Sequence, residues 1–122
     1  MPSAPRPLNL SSRWQGNEMI ARHWRGWTAP ENAEAYGDLL RNTVLPGLKK
    51  ISAYSGGYVL RRDAGAEVEF VVVNLFDSIE AVQQFAGPDY AVAQFEPEAK
   101  RLLARVEPLA VHYEVCVNTV SA

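Results

Sequence analysis

The segment EVEFVVVNLF (Glu67–Phe76) carries apolar side chains on both faces of any β-strand that it forms. One face receives Val68, Phe70, Val72 and Phe76, and the other receives Val71, Val73 and Leu75. A strand of this kind has to be buried on both sides. The segment therefore excludes a sheet that leaves one whole face in water.

The rest of the chain divides into alternating strand and helix patterns. Imperfect alternation predicts a strand at 18–27, and residues of high β propensity predict two more at 51–62 and 109–117. Apolar residues at spacings of three or four predict helices at 28–44, 78–86 and 89–106. Thr28 and the pair Asp77-Ser78 are the predicted N-cap positions. Gly56-Gly57 predicts a bulge in the second strand, or a place where a bulky group lies against the backbone.

The order of these elements is strand, helix, strand, strand, helix, strand. This order is typical of a ferredoxin-like α+β domain (βαββαβ), whose two helices cover one face of a four-stranded antiparallel sheet. The chain itself then leaves the second face bare, so we expect a second copy to pack sheet against sheet as a homodimer. The domain is predicted to span residues 17–120, after a flexible, proline-rich arm at 1–16.

The composition excludes several classes of function. The formal net charge is -2, so the chain lacks the positive field that attracts nucleic acid or an anionic membrane. No stretch reaches the roughly 18 apolar residues that span a bilayer, and no secretory signal begins the chain. The single cysteine, Cys116, forms neither an internal disulfide nor a thiolate cluster. We expect a cytoplasmic protein.

Several segments resemble the antibiotic biosynthesis monooxygenase family: MIARHWRGWT, ENAEAYGDLLRNTVLPGL, HYEV and above all EVEFVVVNLFDSIEAVQQFAG. The resemblance covers about residues 18–118 and implies a dimeric α/β barrel. It also implies an oxidoreductase, specifically a monooxygenase that needs no cofactor and acts on a planar phenolic or quinonoid molecule. Fold does not dictate chemistry, because the family also includes haem-degrading enzymes.

The family patterns can be compared with this chain position by position. The haem-degrading branch has an asparagine in the first strand, where this chain has His23, and a tryptophan in the second helix, where it has Phe85. The axial histidine of that branch corresponds to Ala93 or Gln94, neither of which ligates iron strongly. The resemblance thus implies no haem degradation of that type.

Polar candidates for the site come from three strands and a loop. First and last strands of this fold are antiparallel neighbours, so we expect His23 to lie near His112, which shares a face with Glu114. His23 is the candidate acid or base because histidine titrates near neutral pH, and Arg25 is the candidate for stabilising negative charge. By the family resemblance, Asn74 and Tyr90 orient the substrate.

Aromatic side chains are the candidates for a flat pocket. They are Trp24, Trp27, Tyr36, Tyr54, Tyr58, Phe85 and Tyr90. The predicted substrate-binding set is Trp27, Tyr36, Tyr58, Phe85 and His112. Two alternatives remain open beside the monooxygenase: a carrier that binds a small aromatic molecule without turnover, and a haem-dependent or metal-dependent enzyme that uses His23 or His112.

Overall fold

The computed structural model describes residues 19–119, so most of the predicted arm lies outside the described residues. The described part forms one antiparallel sheet with helices on one face. Its strands are β1 (Ile20–Thr28), β2 (Tyr54–Ala64), β3 (Glu67–Phe76), β4 (Leu103–Val106) and β5 (Val111–Glu114). Their order is β2-β3-β1-β4, with β5 also paired to β1. The predicted α+β class and the predicted pairing of the first strand with the last are confirmed.

The first helical region is built from four consecutive pieces. A 3-10 turn (Pro30–Asn32) leads into α1 (Ala33–Leu39), a π-helical turn (Leu40–Val44) follows, and α2 (Leu45–Lys49) completes the region. The predicted stop at Pro46-Gly47 is wrong, because Pro46 lies in the first turn of α2, where its missing N–H costs little. The predicted Thr28 cap is also wrong, since Thr28 is the last residue of β1 and Ala29 precedes the turn.

The second helix, α3 (Ile79–Ala86), begins and ends where the sequence predicts. The Ser78 hydroxyl accepts a hydrogen bond from the backbone N–H of Ala81 at 3.2 Å, as expected of an N-cap. Gly87 ends the helix with φ = +84°, a value that favours glycine. The side chains of Ile79 and Val82 pack with Ile20 of β1, which holds α3 on the sheet.

The predicted helix at 89–106 is mostly wrong. Only α4 (Pro97–Leu102) is helical, and Leu103–Val106 is the strand β4. β4 pairs with Gly26, Trp27 and Thr28 along the free edge of β1. The backbone hydrogen bonds offered by that edge outweigh the helical spacing of Leu102 and Val106, a common case of tertiary structure overriding local preference.

The two faces of the sheet differ in what covers them. On the covered face, two apolar clusters join the helices to the sheet, one around Trp24, Tyr36 and Phe70, the other around Ile20, Phe76 and Val82. We call the opposite side the open face; four of its large apolar side chains are 43% to 54% exposed, and they are Tyr58, Leu60, Val111 and Tyr113. No helix within residues 19–119 is long and apolar enough to cross a membrane.

Candidate functional site

A cavity of about 430 Å³ lies between the covered face and the helices. The cavity is lined by Trp24 and Tyr36 of one apolar cluster and by Leu48 and Ala86 of the other, so the cavity lies between the two clusters. Most of the remaining lining is apolar and comes from the π-helical turn, α2, α3 and the segment before α4. This volume suits a ligand of a few fused rings.

Arg22 is the charged side chain on the sheet side of the cavity. It is 8% exposed, and its Nη2 donates to the backbone carbonyl of Tyr90 at 3.3 Å. The guanidinium carbon lies 5.3 Å from the centre of the Phe85 ring. No carboxylate within residues 19–119 forms an ion pair with it, and its Nε, although buried, has no hydrogen-bond partner there. Burial lowers the pKa of Arg22 to about 10, so the side chain is still a cation near neutral pH.

Asn74 lies directly across from Arg22 in the β1–β3 register and also lines the cavity. Its Oδ1 accepts a hydrogen bond from the Tyr54 hydroxyl at 3.1 Å, which orients the amide. Burial raises the pKa of Tyr54, so this hydroxyl keeps its proton and remains the donor. The Asn74 Nδ2 group has no hydrogen-bond partner within residues 19–119, which leaves two donors for a ligand in the cavity.

Tyr36 adds a third polar group to the cavity wall from α1. Its ring meets Phe70 edge to face at 4.9 Å between centroids, which fixes its orientation. Burial raises the pKa of Tyr36, so its hydroxyl is a neutral hydrogen-bond donor at any physiological pH. Arg22, Asn74 and Tyr36 together can hold the oxygen atoms of a ligand, whereas the indole N–H of Trp24 is already bonded to the carbonyl of Glu107 at 2.7 Å.

Gly57 leaves the space in which Asn74 lies. A Cβ at this position would be 2.3 Å from the carbonyl oxygen of Val73 and 2.5 Å from Oδ1 of Asn74. We expect Gly57→Ala to lower the free energy of unfolding by about 1 to 3 kcal/mol and to displace the Asn74 amide, because the backbone of β3 would have to move to make room for the added methyl group. Urea unfolding measures the first effect and amide NMR shifts of Asn74 the second.

The matched control is Gly37→Ala in α1, where no atom lies within 4 Å of an added Cβ. Alanine is the better helix former, so this variant should gain about 0.5 to 1 kcal/mol. Equal stability of the two alanine variants would contradict the close approach of Gly57 to Asn74.

Comparison with solved structures identifies the architecture, whereas no family model and no curated protein sequence matches the chain. A conserved protein from Methanosarcina mazei superposes with a TM-score of 0.61 at 14% identity, covering 80% of this chain and 93% of that one. A candidate antibiotic biosynthesis monooxygenase from Bacillus cereus gives 0.58 at 14% identity, covering 85% and 99%. The monooxygenase from the gene ActVA-Orf6 of Streptomyces coelicolor, in complex with the ligand nanaomycin D, gives 0.54 at 13% identity, covering 86% and 93%. The fold is that of the antibiotic biosynthesis monooxygenases.

The monooxygenase fold brings part of the predicted site together. Asn74, Tyr36 and Phe85 line the cavity. Tyr90 and His112 lie next to it, behind Arg22: the backbone carbonyl of Tyr90 holds Arg22, and the Tyr90 ring meets the His112 ring edge to face at 4.9 Å. Tyr90 therefore contributes to the site through its backbone carbonyl and its ring contact with His112, and it does not line the cavity.

The other predicted residues lie on the open face, away from the cavity. His23 pairs with Val73 and Val111 and meets Tyr113 edge to face at 6.4 Å. It is thus next to the Arg22–His112 pair in the β1–β5 ladder, as expected, but its side chain does not share a face with His112. The register sets Arg22 opposite His112, and neighbouring residues of a strand point to opposite faces. His23 is therefore separated from the cavity and from His112 by the sheet.

Arg25, Trp27 and Tyr58 also belong to the open face of the monooxygenase fold. Arg25 forms ion pairs with Glu107 and, at 3.5 Å, with Glu69. Trp27 lies beneath Arg25 and Arg105, whose guanidinium carbons are 5.4 Å and 3.8 Å from its ring centre. Arg25 stabilises buried Glu69 in this arrangement, so the expectation that it holds a substrate charge in the cavity is corrected, and Arg22 is the arginine that lies there.

His112 gives the folded chain a specific dependence on pH. Burial, followed by the charge of Arg22, lowers the pKa of His112 from 6.5 to about 4. Between these two values the unfolded chain binds a proton that the folded chain does not, so the free energy of unfolding falls as the pH is lowered from about 7 to 4. We expect a loss on the order of 1 to 2 kcal/mol after solvent screening, measured by urea unfolding at each pH.

The control is His112→Gln, which has no titrating ring. This variant should lose that part of the pH dependence, whereas His23→Gln should retain it. Identical pH profiles of the wild type and His112→Gln would contradict a half-buried His112 that stays neutral.

Proposed function

We propose that the chain is a cofactor-independent monooxygenase that acts on a planar phenolic or quinonoid molecule bound in the cavity. The observation that carries this proposal is Arg22: among residues 19–119 this buried cation has no carboxylate partner and its Nε has no hydrogen-bond partner, and it lies on the wall of a mostly apolar cavity. A buried charge costs free energy unless something compensates it. A ligand oxygen that carries negative charge would do so.

The three donors support the same chemistry. Deprotonation of a phenolic or anthrone-like substrate gives a carbanion whose charge is delocalised onto an oxygen atom. Arg22 and Asn74 would stabilise that oxygen, and Tyr36 would hold a second oxygen from the opposite wall. Dioxygen reacts directly with the carbanion; one of its atoms enters the product and the other leaves as water. The aromatic rings of Trp24 and Phe85 would hold the substrate plane.

Binding without turnover is the second candidate function, and one observation favours it. His23, the predicted base, lies across the sheet from the cavity, so it cannot accept a proton from a ligand bound there. A carrier needs the same donors and aromatic walls and no base.

An oxygen electrode separates the two candidates. We expect oxygen uptake with some member of a panel of anthrones and hydroquinones, and a rate at least 10-fold lower in Asn74→Ala, because a lost donor to a developing oxyanion costs about that much or more. Tight binding without oxygen uptake would indicate a carrier. Absence of binding across the panel would contradict both.

We also propose that two copies pack open face against open face as a homodimer. Tyr58, Leu60, Val111 and Tyr113 form exposed apolar surface on a flat sheet, of a kind that monomers seldom leave in water. A closed twofold contact buries the same patch on both subunits. The charged end of this face is already paired internally through Arg62 and Glu69 at 2.5 Å, so it can be covered without an unpaired charge.

A further inference from the structure

Arg22, His112 and Tyr90 form a compact cluster at one side of the cavity. The β1–β5 register sets Arg22 directly opposite His112, and both side chains point to the covered face. Tyr90 connects them, since its carbonyl accepts from Arg22 at 3.3 Å and its ring meets the His112 ring at 4.9 Å. Arg22 thus lies between the cavity and a half-buried imidazole.

Two buried nitrogen atoms in this cluster have no hydrogen-bond partner among residues 19–119: Nε of Arg22 and Nε2 of His112. The Arg22 cation lowers the pKa of His112, next to the larger effect of burial. A neutral imidazole beside an uncompensated cation gains affinity for a proton as soon as that cation is neutralised.

We propose that the cavity takes its ligand as an oxyanion bound to Arg22, and that His112 takes up one proton as this anion binds. This inference rests on the proposed function, because it assumes that the cavity is the ligand site. With a phenolic ligand, the O–H bond breaks, an N–H bond forms at the imidazole, and the oxyanion pairs with the guanidinium. With a ligand that is already ionised, the proton comes from solvent. No other reactant is consumed in either case.

Among residues 19–119, few other charged groups face His112 from the elements packed on it. Arg22 comes from β1, and Tyr90 comes from the segment after α3. Within β5, Glu114 is on the same face two residues further along, but it is exposed and pairs with Ile20. Arg22 is therefore the charge whose compensation by a ligand changes the proton affinity of His112.

The probe is 2-naphthoate, a planar aryl carboxylate that stays ionised between pH 5 and 7, with uncharged 2-naphthamide as its matched control. If binding raises the pKa of His112 by two units, linkage strengthens the affinity for 2-naphthoate about tenfold as the pH falls from 7 to 5. Isothermal titration calorimetry in buffers of different ionisation enthalpy counts the proton taken up. The chain has only two histidines, so NMR follows His112 directly, with His23 as the internal reference.

We expect the His112 resonance to titrate at higher pH with saturating 2-naphthoate, and the His23 resonance to stay in place. Affinity for 2-naphthamide should not vary with pH, nor should the affinity of His112→Gln for 2-naphthoate. Arg22→Met should raise the pKa of His112 without any ligand, and Arg22→Lys should restore the lower value.

Each outcome supports or overturns a distinct statement. If 2-naphthoate binds and the His112 titration does not move, the inference is overturned while the cavity remains the ligand site. If Arg22→Met leaves the pKa of free His112 unchanged, the coupling is overturned independently of any ligand. If no phenol, quinone or aryl carboxylate binds, the proposed function fails, and the inference fails with it.

Discussion

Arg22→Met is expected to stabilise the fold and, in the same molecule, to weaken binding of an anionic aromatic ligand. Within the described part of the chain, Arg22 is buried with one backbone carbonyl as its hydrogen-bond partner and no ion pair, so its charge is poorly compensated in the absence of ligand. Methionine has a similar length and no charge. Replacement of Arg22 by methionine should raise the free energy of unfolding by about 1 to 3 kcal/mol, measured by urea denaturation.

The same substitution should weaken ligand binding while it stabilises the fold, because it removes the charge that would bind an anionic ligand. Hydrogen bonds to an ionised group contribute about 1.5 to 3 kcal/mol, so the Kd for 2-naphthoate should rise roughly 10-fold to 100-fold. The Kd for 2-naphthamide should change much less. Arg41→Met is the control, because Arg41 is an exposed residue paired with Asp38 at 2.7 Å. A destabilised Arg22→Met with unaltered binding would mean that Arg22 serves the fold rather than a ligand.

Leu60→Lys is expected to separate the proposed dimer into folded monomers. Leu60 is 51% exposed on the open face, so lysine is tolerated there in a single subunit. In a sheet-to-sheet dimer the two ammonium groups would be buried in the interface without partners. We expect the dimer dissociation constant to rise about 100-fold or more, measured by sedimentation at micromolar concentration.

Leu109→Lys is the matched control for this experiment. Leu109 has nearly the same exposure, 53%, but it lies outside the open face, where it bridges to Val92. Lysine at this position should leave association unchanged. A wild-type protein that sediments as a well-folded monomer at micromolar concentration would contradict the dimer itself.

The sheet could be predicted from the sequence because β1 alternates, although imperfectly, and β3 is a β-rich run with apolar side chains on both faces. Ile20, Arg22 and Trp24 share a face opposite to Ala21, His23 and Arg25, as the pattern predicts. The helix at 89–106 could not be excluded in the same way. Leu102 and Val106 are spaced as in a helix, and only the free edge of β1, a feature of the assembled fold, makes Leu103–Val106 a strand.

The site was predictable in part, for a related reason. Alternation shows which residues share a face but not which face the helices cover, so His23 and Arg25 were equally good candidates until the helices were placed. Arg22 carried a usable signal: it is a charged residue between Ile20 and Trp24 on a face that is otherwise apolar. A charge at such a position is unusual in a core and is itself a reason to suspect a ligand.

The π-helical turn Leu40–Val44 forms part of the cavity wall, and its shape could be changed by a single deletion. Such a turn holds one residue more than an α-helical turn. Removing a single residue from it would restore ordinary helical hydrogen bonding and change the cavity wall locally at Leu40, Thr43 and Val44, while the residues that follow keep their orientation about the helix axis. A one-codon deletion would thus remodel the pocket while preserving every strand, which makes this turn a natural starting point for directed evolution of ligand preference.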